Sequence, residues 1–387
     1  MVTEGDERMH FEHRVLLEVP FILNVPDGKY NVTLPGGVKR VLIIHNGYYA
    51  ASDDAFEYAS GKVYGLKHSL PSALPNSADV SVVKLRTVVE MRLDKVVDEN
   101  DAVQPTESDL INEVSRELIK VRATNGSSDA LTAKAKAILA THPTEHREDL
   151  RRTCQRRLTA NQLFPPTLAD GFLAAVNAFV RQYMVAMEDF FVEEVALHQV
   201  AGTTMGGIVQ HTQCDGIVVA SVTTVGLIAP IMRSQWFTHP KPKLDALKAA
   251  LETGLPPNAV ELLGVRARHL VERGAHRSAI IEAAAALETA IARRLIASIV
   301  SNGASEAQAL QFLKGNQRFS ERGKTHFKAI VGKSLAEHDP MLWNRVVVHR
   351  DNLRHKIAHS DLEPSAEDTK SVVADFLTMA EIAQTVR

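Results

Sequence analysis

In the stretch SVVKLRTVVEMRLD, Ser81–Asp94, apolar and charged side chains alternate with a period of two from Val83 to Asp94. One parity carries Val83, Leu85, Val89, Met91 and Leu93, and the other carries Lys84, Arg86, Glu90, Arg92 and Asp94. Successive side chains of a β-strand point to opposite faces, so the alternation predicts a half-buried strand. Such a strand fits an antiparallel sheet most simply, because one face of an antiparallel sheet can be exposed to solvent.

Strand and helix signals are mixed throughout the chain before about residue 240. The runs HRVLLEVP and VKRVLIIHNG end in proline or in Asn46-Gly47, which favours strands followed by turns. GGIVQH and GIVVASVTTVGLIAP are further β-branched runs. Thr106 and Asp109 form a partial capping box at the start of a helix, and ALTAKAKAILA and FLAAVNAFVRQYMVAMED indicate two more helices.

Beyond FTHPKPKLD, Phe237–Asp245, nearly every residue fits a helical pattern. The longest predicted helix covers about 277–300 and has a broad, alanine-rich apolar face. Pro340 opens the helix that carries the most informative motif, and Ser365 with Asp368 caps a last one. We therefore predict an α+β protein with a mixed α/β domain over 1–240 and an all-helical bundle over 241–387. A further break within 125–165 would divide the first domain into two subdomains.

Composition excludes several classes of protein. The formal net charge of −2 provides no global field for nucleic acid or anionic membrane, so any basic site must be local. The only cysteines, Cys154 and Cys214, cannot build a thiolate zinc cage. The N-terminus lacks an apolar signal core, and no uncharged apolar run reaches the roughly 20 residues of a membrane span. We expect a cytoplasmic protein that uses no cofactor and no membrane.

The stretch RDNLRHKIAHSD, Arg350–Asp361, carries two arginines and two histidines at helical spacing. At about 100° per residue, Arg350 and Arg354 stack one turn apart, and His355 and His359 stack further round. Arginine offers phosphate a planar fork of donors, and histidine exchanges a proton near neutral pH. Together they suffice for cleaving RNA without a metal. A solvated helix face remains an alternative explanation of the same pattern.

RHKIAH, Arg354–His359, resembles the signature of the HEPN superfamily, the helical ribonuclease domains of prokaryotic defence and toxin systems. The signature reads arginine, a polar residue, three residues, histidine. RGAHRSAIIEAAAALETAI upstream resembles the long helix beside it in those proteins, and the resemblance covers about 255–387. It implies a HEPN-like bundle that acts as a metal-independent endoribonuclease on RNA, leaving 2′,3′-cyclic phosphate and 5′-hydroxyl ends.

The resemblance implies that Arg354 contacts phosphate and that His359 transfers a proton or positions phosphate. His355 occupies the polar position after the arginine, whereas the supporting role of Arg350 is inferred from its stacking. Glu282 lies in the apolar helix and could orient Arg354, and Glu288 is the other candidate for that role. The family implies a homodimer with facing signature helices, which the small side chain of Ala358 would permit. A regulatory protein or trigger would be a further partner.

Other motifs are weaker. His142 and His146 have the spacing of two metal ligands, but Pro143 lies between them and a third ligand is missing, so no metal site is assigned. Five arginines, diluted by Glu148 and Asp149, could follow an RNA backbone or simply form a solvated helix; they are Arg147, Arg151, Arg152, Arg156 and Arg157. Two further functions remain open beside the ribonuclease: an inactive HEPN module that binds RNA or builds an assembly, and a small-molecule-binding protein.

Overall fold

A computed structural model describes residues 8–49, 84–121, 128–165, 167–189, 192–196, 207–225, 239–351, 357 and 364–386. The chain divides into two units. The sheet unit comprises Met1–Leu34, Val38–Asn177 and Val195–Phe237. The helical unit comprises Pro35–Gly37, Ala178–Glu194 and Thr238–Arg387.

Six strands of the sheet unit form one antiparallel sheet in the order β2-β3-β4-β1-β5-β6. They are β1 Arg8–Val19, β2 Gly28–Thr33, β3 Lys39–Tyr49, β4 Lys84–Asp98, β5 Gly207–Cys214 and β6 Ile217–Val225. The strand predicted from the opening motif is confirmed as β4, and the runs predicted as strands around it are confirmed as β1, β3, β5 and β6. The antiparallel arrangement that the alternation favoured is confirmed as well.

Strand β1 lies at the centre of the sheet, where Leu16 is paired with Glu90 of β4 and with Val209 of β5. Val15 and Leu17 on its other parity are fully buried. His13 on the same parity stacks on Phe164 with ring centroids 4.5 Å apart. Desolvation by burial lowers the pKa of His13 to about 4, so the ring stays neutral near pH 7. This face is the core of the sheet unit.

Glu90 is an exception among the charged residues of β4, which were expected to face solvent. Its side chain is fully buried, although it shares that parity with the exposed Arg92 and Asp94. Two side chains hold the carboxylate: His45 Nε2 lies 2.7 Å from Oε2, and Arg92 Nε donates to Oε1 at 2.5 Å. The charged parity of β4 therefore contributes a buried ion network as well as solvated groups.

Four helices are described in the middle of the chain: α1 Glu107–Val121, α2 Ser128–Thr141, α3 Thr144–Leu163 and α4 Leu168–Met187. Thr106 and Asp109 make the capping box at the start of α1. The backbone N–H of Thr106 donates to Asp109 Oδ2 at 2.8 Å, and that of Asp109 donates to Thr106 Oγ1 at 3.3 Å. Helix α3 packs against β5 and β6, and Arg157 donates to the carbonyl of Val219 at 3.0 Å. Residues of α4 from Ala178 onward belong to the helical unit.

From residue 241 onward all described elements are helical. They are α5 Lys241–Thr253, α6 Ala259–Glu272, α7 His276–Ser301, α8 Glu306–Gly315, α9 Phe319–Glu321, a π-helical turn Arg322–His326, α10 Phe327–Val331, α11 Leu335–His338, α12 Pro340–His349 and α13 Ala366–Thr385. The α+β class and the helical C-terminal region are confirmed. Pro256 and Pro257 precede α6, whose N-cap is Asn258.

The core of the helical unit forms around α7, the long helix predicted over 277–300. Nine of its apolar residues are buried, in keeping with the broad apolar face: Ala279, Ile280, Ala283, Ala284, Ala286, Leu287, Ala290, Ile291 and Leu295. Helices α6 and α13 pack along it. Alanines on this face let the neighbouring helices approach closely, and no β-strand interrupts 276–301. Ser365 caps α13 by accepting a hydrogen bond from the N–H of Asp368 at 3.1 Å, as predicted.

Candidate functional site

Helix α12 leads directly into Arg350, the first residue of the arginine–histidine motif. Asp339 caps it by accepting a hydrogen bond from the N–H of Leu342 at 2.9 Å, and Pro340 is its first residue, as predicted. Trp343 and Val346 face the core. The helix ends at His349, and Arg350 continues in a π-helical turn. The motif residues 352–356 and 358–361, which were expected to continue the helix that opens at Pro340, lie outside the described residues.

Arg350 is the only motif arginine in the described part of the chain, and its side chain is half-buried. Its guanidinium carbon lies 4.6 Å from the ring centroid of Phe319, and its Nη2 lies 3.4 Å from Glu288 Oε1. Asp351 Oδ1 is 3.7 Å from Nη1. Stacking and ion pairing together hold this guanidinium at the edge of the core.

Arg354, His355, Ala358 and His359 lie outside the described residues, so their predicted roles stay predictions. Ile357 between them is described, and it is fully buried. Arg277, at the start of α7, donates from Nη2 to the carbonyl of Ile357 at 2.7 Å. This contact ties the motif to the first turn of the long helix.

Arg277 at the start of α7 contacts Ile357, late in the motif. Glu288 in the middle of α7 contacts Arg350, the first residue of the motif. The motif segment and α7 therefore run in opposite directions. Glu282 lies on α7 between these two levels and is half-exposed. Within the described ranges no hydrogen bond or ion pair reaches Glu282, whereas Glu288 contacts Arg350. That either glutamate orients Arg354 stays a prediction.

Phe319 and Arg322 belong to the surroundings of Arg350 and were not found from the sequence. Arg322 donates from Nη2 to the carbonyl of Leu313 at 2.6 Å and from Nε to the carbonyl of Asn316. Burial lowers the pKa of Arg322, Glu288 opposes this effect, and the charge of Arg350 adds to it. The guanidinium still keeps its proton, because arginine starts from a very high value. The run RFSERGK was the available signal, through its density of basic residues.

His349 and Arg345 of α12 are directed to α13. Arg345 donates to both carboxylate oxygens of Asp375, at 2.8 and 2.9 Å, and His349 Nε2 lies 3.2 Å from Oδ2. The hydrogen bond from Arg345 lowers the pKa of Asp375. These contacts hold α12 against α13. Arg345 and His349 are therefore structural, and Arg350 remains the described residue of the candidate site.

The basic run of α3 does not form a continuous cationic track. Arg147 donates to the carbonyl of Leu139 at 3.0 Å, Arg157 pairs with Glu113, and Arg156 lies 3.7 Å from Asp215. These three guanidinium groups serve the packing of the sheet unit.

His142 and His146 have ring centroids 5.8 Å apart. In the part of the chain that the structure describes, no group of three His, Cys, Asp or Glu side chains is arranged to hold a metal ion. Among the described helices, none alone is long and apolar enough to cross a membrane, whereas α3 and α4 together reach the required length and composition as a pair bent by 46°.

Comparison with known proteins found no counterpart. No protein-family model matches the chain, and no curated protein or solved structure is significantly similar to it.

Proposed function

We propose that the chain is a metal-independent endoribonuclease whose helical unit is a HEPN-like bundle. The observation that carries the proposal is the spacing of Arg354 and His359 in RHKIAH, placed late in a helical region after a long apolar helix. The substrate is RNA, and the products carry a 2′,3′-cyclic phosphate and a 5′-hydroxyl.

The proposed reaction requires three catalytic roles from the protein. One group accepts the proton of the 2′-hydroxyl as its oxygen forms a bond to the adjacent phosphorus. The bond from phosphorus to the 5′-oxygen then breaks, and that oxygen takes up a proton. Cations stabilise the charge that builds on the phosphorane oxygens between these events. We assign proton transfer or phosphate positioning to His359 and phosphate contact to Arg354, with His355 and Arg350 in support.

Two features of the described residues support this assignment. Arg277 anchors the carbonyl of Ile357, and Arg350 stacks on Phe319. The motif is thus held by the bundle at Arg350 and at Ile357, and a group held in one orientation stabilises a transition state with little reorganisation. Arg322 adds a second cation beside Arg350.

An inactive HEPN scaffold, which binds RNA or dimerises without cutting, is the second candidate. It is favoured by the pairing of Arg350 with Glu288, because a cation already held by a carboxylate is less available to a phosphate. In either case we place the protein in the cytoplasm, in bacterial antiviral defence or a toxin-like system. The sheet unit would then sense the trigger or restrain the helical unit.

The decisive experiment incubates the full-length protein with mixed RNA in EDTA and analyses the end groups of the products. We expect cleavage to persist, because the roles are assigned to arginine and histidine side chains. RNA with 2′-O-methyl groups, and DNA, should not be cut, since neither has a free 2′-hydroxyl to attack the phosphate.

Single variants Arg354→Ala and His359→Ala should each lose on the order of 10²-fold or more in rate, the usual scale for a proton-transfer or charge-stabilising group. Arg350→Ala and His355→Ala should lose less. Lys370→Ala, an exposed change on α13, serves as the control and should cleave normally. Full cleavage by the Arg354→Ala, His359→Ala double variant would end the ribonuclease proposal.

A further inference from the structure

The segment Lys314–Lys333, called the basic segment below, has a charge unlike that of the whole chain. It carries six lysine or arginine side chains and a single carboxylate, Glu321, whereas the chain has a formal net charge of −2. The six cations are Lys314, Arg318, Arg322, Lys324, Lys328 and Lys333. The segment runs from the end of α8 through α9, the π-helical turn and α10.

Carboxylates neutralise only part of this charge. Arg318 pairs with Glu321 at 3.1 Å, and Lys328 pairs with Glu337. Lys314, Lys324 and Lys333 are exposed, and no carboxylate among the described residues pairs with them. The positive charge of these three lysines, within twenty residues, repels cations and attracts a polyanion.

The fold brings the basic segment to the edge of the candidate site. Arg322 binds the carbonyls of Leu313 and Asn316, so the end of α8, with Lys314, lies against the π-helical turn. Phe319 in the same segment lies under the guanidinium of Arg350. The segment is therefore in direct contact with the first arginine of the motif.

We infer that the basic segment binds the phosphate backbone of RNA and leads the strand towards Arg350 and the RHKIAH motif. The choice of RNA rests on the proposed function, whereas the choice of a polyanion rests on the charges alone. Phe319 and Phe327 are buried, so the segment has no phenylalanine available for stacking on bases. Recognition then acts on phosphates, and binding is independent of sequence and weakened by salt.

The experiment measures binding of a fluorescent, 2′-O-methylated RNA oligonucleotide to the full chain by anisotropy, between 50 and 200 mM salt. This probe cannot be cut by the proposed chemistry, so binding is observed separately from cleavage. The test variant is Lys314→Gln, Lys324→Gln, Lys333→Gln. The control removes the same charge elsewhere in the helical unit, through Lys248→Gln, Arg268→Gln and Lys370→Gln on α5, α6 and α13.

We expect the test variant to lose on the order of tenfold in affinity at the lowest salt. Its salt dependence should be shallower, by about 0.7 in log–log slope for each lysine removed. The control should bind within about twofold of the parent. Circular dichroism and urea unfolding should be unchanged in both, because the substituted side chains are exposed.

Parent-like binding by the test variant, or an equal loss in the control, would overturn the inference. Binding of the parent to phosphatidylserine vesicles but not to RNA would overturn it too, in favour of a membrane surface. RNA binding that depends on the three lysines, without any cleavage of unmodified RNA, would leave the inference standing and end the ribonuclease proposal. Failure of the RNA-binding inference can thereby be distinguished from failure of the ribonuclease proposal.

Discussion

Gly323 is the residue on which the packing beneath Arg350 depends most directly. It lies in the π-helical turn against Trp343, which is buried and stacks on Phe319 with ring centroids 5.4 Å apart. A Cβ at this position would come within 2.1 Å of Trp343 Cη2. The sequence has a glycine here because the indole occupies the space of a side chain.

We therefore expect Gly323→Ala to lower the free energy of unfolding by about 1–3 kcal/mol, the usual cost of overpacking. Urea denaturation followed by circular dichroism measures this quantity. Gly315→Ala at the end of α8 is the matched control, because a Cβ there meets nothing within 4 Å, and we expect a change within about 0.5 kcal/mol. Equal effects of the two substitutions would mean that the Trp343 contact does not restrict this position.

Glu90 is the residue whose ionisation should be visible in the stability of the sheet unit. Burial alone would raise the pKa of Glu90, but hydrogen bonds from His45 and Arg92 outweigh burial and lower it to about 2. The folded-state value lies below the ordinary value of 4.5. The carboxylate therefore stabilises the fold above about pH 4.5, and this contribution is lost as the pH falls towards 2.

Glu90→Gln should be less stable than the parent at pH 7, and its unfolding free energy should fall less steeply between pH 4.5 and 3. Asp94→Asn on the same strand, where the side chain is exposed, should keep the parent's pH profile. Unfolding in urea at a series of pH values compares the three proteins. A parental pH profile in Glu90→Gln would show that other groups dominate acid unfolding; His13, with a pKa lowered to about 4 by burial, is the first of these.

At the scale of a single element, the start of α12 depends on the Asp339 cap. Its carboxylate accepts a hydrogen bond from the N–H of Leu342, which would otherwise be one of the unpaired donors of the first turn. Asp339→Ala should cost about 1 kcal/mol of unfolding free energy, whereas Asp339→Ser should retain most of the stability, because serine is also a good N-cap. Urea denaturation of both variants checks this, and equal losses would mean that the charge, and not the cap, stabilises the helix.

At the scale of the whole molecule, we predict a homodimer through the helical unit, on the basis of the HEPN resemblance and of Ala358 among the cations. Like charges from two copies would then face each other, so phosphate or the 2′-O-methyl RNA probe should stabilise the pair. Light scattering at micromolar concentration, with and without these anions, measures the mass.

Ala358→Arg should weaken the dimer by adding bulk and positive charge at the predicted approach. Ala307→Arg, on the exposed side of α8, should leave it intact. A monomeric parent under all of these conditions would contradict the prediction.

Local pattern alone was enough to predict the longest strand and the longest helix of this protein, although it did not reveal β2. The alternation in Ser81–Asp94 predicted β4, and the apolar face of 277–300 predicted α7, because both depend on the direction of neighbouring side chains in one chain segment. The caps at Thr106 and Ser365 were also predictable, since each joins residues three apart. The spacing of Arg354 and His359 is likewise a property of sequence, and it carries the proposed chemistry.

Tertiary structure decided what no local pattern contains. The burial of Glu90 depends on His45 of another strand, and Phe319 comes beneath Arg350 from more than thirty positions away in the chain. Glu288, and not Glu282, contacts Arg350, because the rotation of α7 against α12 is set by packing of the whole bundle. Periodicity states which face of a helix is buried, but the partner of each polar group at its edge is chosen by contacts between distant segments.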